Sequence, residues 1–173
     1  MKTLKKLILL LPLILFAIGT VSAQKYAYVD TKVILEEIPE YKEAQKKIDD
    51  MSDKWQKEIE EKMQIIDQKY KDYQREQIIL PEETKRQRED EIMQLERGMK
   101  EFQRSKFGVN GELFKERSRL IEPIQDKVYK AVKDVAVEGG FSFIFDKSSQ
   151  SNILYADPKL NKNDQVLKKL GVK

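Results

Sequence analysis

The sequence predicts an α+β chain: a small β-rich oligomerisation body bearing one long antiparallel α-helical hairpin, a coiled-coil arm. Three observations predict it. Charged residues make up 36% of the 173, against about 25% in an average globular chain, and apolar residues recur among them at helical spacing. Prolines stand at the joints of the long runs. Short segments rich in β-branched and aromatic residues occur only near the two ends of the chain.

Residues 1–23 read as a secretory signal. Lys2, Lys5 and Lys6 form a positive region, Leu7 to Ile18 an apolar one, and Val21-Ser22-Ala23 offers small residues for cleavage after Ala23. The apolar run is too short for a membrane span, so a soluble mature chain outside the cytoplasm is expected, with no stable membrane insertion. The signal holds three of the 33 basic residues and none of the 30 acidic ones. The mature chain therefore has no formal net charge, which argues against a nucleic-acid partner.

The body is expected from residues 24–39 and 123–173, the arm from 40–122. Tyr26 to Val29 read as a strand, and Asp30 as the N-cap of a short helix from Thr31 to Glu37. Pro39 suits the first turn of a long helix. Along that helix Tyr41, Ala44, Ile48, Met51, Trp55, Ile59, Met63, Ile66, Tyr70 and Tyr73 keep a spacing close to 3.6. Ile78-Ile79-Leu80-Pro81 marks the turn. The return run carries Ile92, Leu95, Met99, Phe102, Val109, Leu113 and Leu120, with Lys106 filling the slot between Phe102 and Val109; as far as Leu113 the steps alternate three and four as in a coiled-coil seam. Gly98, Gly108 and Gly111 fall inside this run as points of flexibility or of close packing. Pro123 is expected to interrupt it.

Beyond Pro123, Lys127 to Val137 read as an amphipathic helix stopped by Gly139-Gly140. FSFIFD (141–146) and NILYA (152–156) read as strands joined by a polar turn, and Asn163 as the cap of a last helix holding Val166, Leu167 and Leu170. The body then has 67 residues, a marginal core, and its three strands leave open edges. An obligate oligomer answers both problems.

The chain has no cysteine and no histidine, which removes disulfides, thiol chemistry, imidazole catalysis and the usual zinc sites. Asp30, Asp146 and Asp157 close strands, where acids cap and turn. Gly139-Gly140 lacks the lysine and hydroxyl of a phosphate loop. The expectation is a protein that is not an enzyme and needs no metal, nucleotide or other cofactor.

Two stretches carry a resemblance. VYKAVKDVAVEGGFSFIFDKSSQSNILYADPKLNKNDQVLKKLGV and KYAYVDTKVILEEIPEYKEAQKKI resemble the C-terminal and N-terminal parts of the OmpH/Skp family of periplasmic chaperones. LPEE at 80–83 and IEPI at 121–124 fall where that family turns and rejoins its body. The resemblance implies a periplasmic homotrimer whose three arms enclose a cavity. It also implies an ATP-independent holdase for unfolded outer-membrane β-barrel proteins. Well-known members are strongly basic. Here the arm has 19 basic and 21 acidic side chains, so no lipopolysaccharide-binding residues are carried over.

A second stripe on the return run, Phe107, Gly111, Phe114, Ser118 and Ile121, lies about a third of a turn from the seam. Phe107, Phe114 and Ile121 are candidate client-binding residues. The alternative is packing between subunits or onto the body. A different function class also fits the hairpin: a secreted envelope adaptor or spacer with one fixed partner, held through the tip at Ile78, Ile79 and Leu80.

Overall fold

The computed structural model describes residues 24–148 and 153–172; the expected signal, residues 149–151 of the turn expected at 147–151, and Asn152 lie outside them. In chain order come β1 (Lys25–Val29), α1 (Thr31–Glu37), α2 (Pro39–Glu76), α3 (Glu82–Phe107), α4 (Glu112–Gly139), β2 (Phe141–Asp146), a single 3-10 turn (Pro158–Leu160) and α5 (Asn163–Lys169). The α+β class, with a long helical hairpin on a small sheet-bearing body, is what the sequence predicts.

α2 runs 38 residues without a break, about 57 Å at 1.5 Å per residue. Pro39 sits at its first turn, where a missing N–H costs nothing. The chain turns through Gln77 to Pro81, and α3 begins with Glu82 and Glu83 at its positive end. α3 and the first turns of α4 pack back along α2.

The sheet has two strands, and they are parallel, Tyr26 beside Phe143 and Val29 beside Asp146. A parallel pair needs a long crossover, and here the whole arm is that crossover. The outer edge of β1 is bridged at Tyr28 to Asn161, with the Lys162 N–H donating to the Tyr28 carbonyl at 2.9 Å. Beneath the sheet lies one core. Ile34 of α1, Ile48 of α2, Val128 and Val135 of α4, and Val166 and Leu167 of α5 are all buried in it.

Polar side chains tie the chain's ends together. Asp30 caps α1, accepting from the Val33 N–H at 3.1 Å. Asp146 accepts from the Thr31 hydroxyl at 2.6 Å and the Thr31 N–H at 3.1 Å, and from the Ser148 N–H at 3.0 Å. Asp157 accepts from the Lys159 N–H at the 3-10 turn. All three acids thus hold backbone, the role that strand ends suggest for them.

Four expectations need correction. Pro123 does not interrupt the return run: α4 passes through it. Ile121 and Ile124 are both in the core, so packing on either side of the exposed proline holds the helix against its local preference. The break comes earlier, at residues 108–111. A Cβ on Gly108 would overlap the Arg104 carbonyl, and one on Gly111 would stand 2.8 Å from the Lys106 carbonyl oxygen. Asn110 between them has φ of 60°, a left-handed conformation its short side chain tolerates. Close backbone approach, then, is why Gly108 and Gly111 are glycine. Third, residues 153–156 form no strand, and the sheet is two-stranded among the described residues. Fourth, the cap position of α5 is Lys162, one residue before Asn163. Asn163 instead accepts the Asp30 N–H at 2.8 Å, so the first turn of α5 is spent on the start of α1.

These contacts have measurable consequences. Gly98 lies inside α3 with nothing within 4 Å of where a Cβ would be. Gly98→Ala should add about 1 kcal/mol of stability in a urea melt, whereas Gly108→Ala should lower it.

Burial pushes the Asp146 carboxyl up, but the Thr31 and Ser148 hydrogen bonds outweigh it and hold it below the usual carboxylate value. Its contribution is therefore complete above that value and lost as pH falls through the lower, folded one. Melting temperature should drop in acid below about pH 4. In Asp146→Asn it should be lower at neutral pH and less dependent on acid.

Candidate functional site

Between Ile48 and Leu113 the arm lies outside the body core. Near the body its seam is closed. Trp55 and Ile59 of α2 are buried, and Phe107 meets the Trp55 ring edge-on, centroids 6.1 Å apart at 90°. Lys106 does fill the seam slot. Its ammonium lies 5.0 Å from the Trp55 ring centre and 5.4 Å from that of Phe102. It also pairs with Glu112 at 2.6 Å across the break. A desolvated cation over two rings is stabilising, so a lysine completes an otherwise apolar stripe.

Farther out the two helices are joined mainly by polar pairs. Lys69 bonds Glu91 at 2.6 Å, Arg88 lies 3.7 Å from Glu76, and the Tyr73 hydroxyl donates to Glu89. The Lys69 hydrogen bond holds the Glu91 carboxyl below its usual value, and the Glu89 bond raises the Tyr73 hydroxyl. Exposed pairs of this kind contribute little stability, but they fix the helix register. Only Ile92 is buried in this half of α3.

The apolar side chains left over turn outward. Met63, Ile66 and Tyr70 of α2 and Met99 of α3 line a groove of about 390 Å³ with Asp67, Glu96 and Lys100 at its rim. Met63, Tyr70, Ile65 and Met93 are exposed. Methionine is unbranched and polarizable and adapts to irregular partners. A row of such side chains on a stiff rod offers apolar contact without a shaped pocket. The seam positions Met63, Ile66 and Tyr70 fit the 3.6 period, so periodicity alone gives no sign that a two-helix pair would leave them uncovered.

The three candidate client-binding residues do not share one face. Phe107 is half-buried against Trp55. Ile121 is 8% exposed and belongs to the body core. Phe114 alone stands out, at 56% exposed. Ile121 thus follows the alternative, packing onto the body, while Phe107 packs within the hairpin against Trp55, and the break at 108–111 turns α4 relative to α3. The same break lifts Val109 out of the predicted seam, to 97% exposed. At the tip Ile78 is 89% exposed and Ile79 nearly as much.

Among the described residues no group of three or more acidic side chains is placed to hold a metal ion, and no helix is long and apolar enough to cross a membrane. Together these features make a thin helical arm that carries exposed apolar side chains among charged ones, rooted in a small α+β body. The chain belongs to the family of OmpH-like outer membrane proteins, whose model matches residues 25–170. It is also similar to a crystal structure from Caulobacter crescentus CB15, described as a candidate outer membrane chaperone (OmpH-like), with a TM-score of 0.66. The two share 10% sequence identity over 88% of each chain, so the likeness is one of fold. No curated protein matches the chain.

Phe107→Ser should lower the stability of the hairpin by about 2–3 kcal/mol in a denaturant melt and change the near-UV signal of Trp55. Phe114→Ser should leave stability within about 0.5 kcal/mol of the unsubstituted protein.

Proposed function

We propose that this protein is an ATP-independent holdase of the periplasm, a homotrimer that keeps unfolded outer-membrane β-barrel proteins from aggregating by holding them between its helical arms. The observation that carries the reading is the set of exposed apolar side chains on the arm, Met63, Tyr70, Met93 and Phe114 among them. An unfolded chain presents many different apolar segments. A surface of flexible side chains with no fixed pocket can take them all, and affinity comes from many weak contacts. Membership of the OmpH-like family and the chaperone description of the Caulobacter relative support the same role. The proposed location rests on the N-terminal signal pattern.

The trimer rests on the body. Tyr26, Phe143 and Phe145 stack on the outer face of a two-stranded sheet, ring centres 5.9–6.4 Å apart, and all three are exposed. A sheet of two short strands with an uncovered aromatic face is marginal alone, and pooling strands from three copies would cover it. Of the stripe Phe107, Phe114 and Ile121, only Phe114 is retained as a client contact.

A second reading, an envelope adaptor with one fixed partner, draws on the exposed Ile78 and Ile79 at the tip. An aggregation assay separates the two. The holdase should suppress aggregation of several unrelated unfolded barrels, unaffected by ATP or by chelators. Activity toward one partner only would support the adaptor. Between low and physiological salt the affinity should change less than tenfold, because a chain without net charge exerts little long-range field. Phe114→Ser should weaken client retention while keeping the oligomer's mass.

A further inference from the structure

Sulfur is unevenly placed in this chain. There is no cysteine, and beyond the expected signal the methionines are Met51, Met63, Met93 and Met99. Two lie on α2 and two on α3, so all are on the arm. The segments of the body, 24–39 and 123–173, have none, and the buried core there is isoleucine, leucine, valine and alanine. Every thioether therefore sits on the element proposed to hold clients.

Two of the four share one place. Met63 of α2 and Met99 of α3 line the groove of about 390 Å³ together with Ile66 and Tyr70. Met63 is 54% exposed and Met99 half-buried. Met93 is also accessible, at 52%, but Glu96, Arg97, Lys100 and Arg104 surround it. Met51 is half-buried near the root of the arm. An oxygen added to Met93 joins charged neighbours, whereas one added to Met63 or Met99 enters the apolar strip of the groove.

A thioether sulfur attacks one oxygen of hydrogen peroxide. The S–O bond forms as the O–O bond breaks, and the proton on the transferred oxygen passes to the departing hydroxide, which leaves as water. Sulfur is oxidised by two electrons and the peroxide reduced by two. The sulfoxide is polar where the thioether was apolar, and thiol-dependent methionine sulfoxide reductases reverse the change. We propose that Met63 and Met99 form an oxidation site that switches the arm from holding clients to releasing them, with a hydroperoxide as the oxidant. This deepens the holdase reading and rests on it. An apolar client segment laid against a sulfoxide leaves its oxygen unpaired, so binding should weaken by about tenfold. The hairpin outlasts the change, because buried Trp55, Ile59 and Ile92 and the Lys69–Glu91 pair hold it without either methionine. The body has no sulfur to oxidise.

The test uses the full chain. It is treated with hydrogen peroxide, the peroxide is removed, and an untreated unfolded outer-membrane barrel is then added. Peptide mass mapping should find one added oxygen on Met63 and on Met99. Affinity for the barrel should be about tenfold lower, with far-UV circular dichroism and sedimentation unchanged, and should return after methionine sulfoxide reductases and dithiothreitol. Because both groove residues touch the client, each variant is compared with itself before and after peroxide. Met63→Leu with Met99→Leu, a volume-conserving pair, should lose almost nothing on treatment, and Met93→Leu should show the full loss. Full retention by protein with both sulfoxides would overturn the inference alone. So would a loss that persists in the double leucine variant, one that Met93→Leu abolishes, or one that comes only with a fall in helical content. Untreated protein that holds no unfolded barrel would overturn the holdase reading, and this inference with it.

Discussion

The outgoing helix leaves the body through Ala44 and Ile48, and the return path re-enters it through Ile121 and Ile124. All four side chains lie in one buried cluster with Ile34, Val128 and Leu167. Much else depends on this shared core. It brings the two ends of the arm side by side, so the strand before the arm and the strand after it meet as parallel neighbours. It carries α4 through Pro123 without a stop. It gives the long hairpin a fixed root, from which α2 extends as a continuous spine. Because apolar burial is the main favourable term in folding, a cluster of this kind outweighs the local preference of a single proline.

Away from that root the arm is held by progressively weaker means. The Trp55, Phe107 and Lys106 cluster closes the seam near the base. Ion pairs and the Tyr73–Glu89 bond align the helices farther out. The consequence is a division of labour along one element. The base supplies stability, and the middle is free to expose methionine, isoleucine and tyrosine side chains. Apolar groups scattered on a surface are ordinary. Here they line a groove on a rod whose register is set by charged neighbours, so they are presented without being needed for folding. That separation suits the proposed holding of many different chains.

Much of this is legible in the sequence because two signals are local. The 3.6-residue recurrence from Tyr41 to Tyr73 marks α2. Asp30, Pro39, Pro81 and Gly140 mark element ends through capping and fixed or left-handed backbone dihedrals. The illegible parts depend on contacts distant in sequence. Val109 fits the heptad but leaves the seam, because Gly108 and Gly111 approach the backbone of the preceding turn. Ile121 fits a stripe with Phe107 and Phe114 but is claimed by the body. Residues 153–156 have strand composition without a strand partner. Phe107 reads as outward-facing because its edge-on contact with Trp55, 52 positions earlier, has no periodic signature in the sequence.

Hydrogen–deuterium exchange on the protein, alone and with an unfolded outer-membrane barrel, tests whether unfolded clients are held along the exposed apolar side chains of the arm. New protection is expected in the segments around Met63 to Tyr70, Met93 to Met99 and Phe114, with the same segments protected by a second, unrelated barrel. Protection confined to the tip at Ile78 to Leu80, or none on the arm at all, would contradict it.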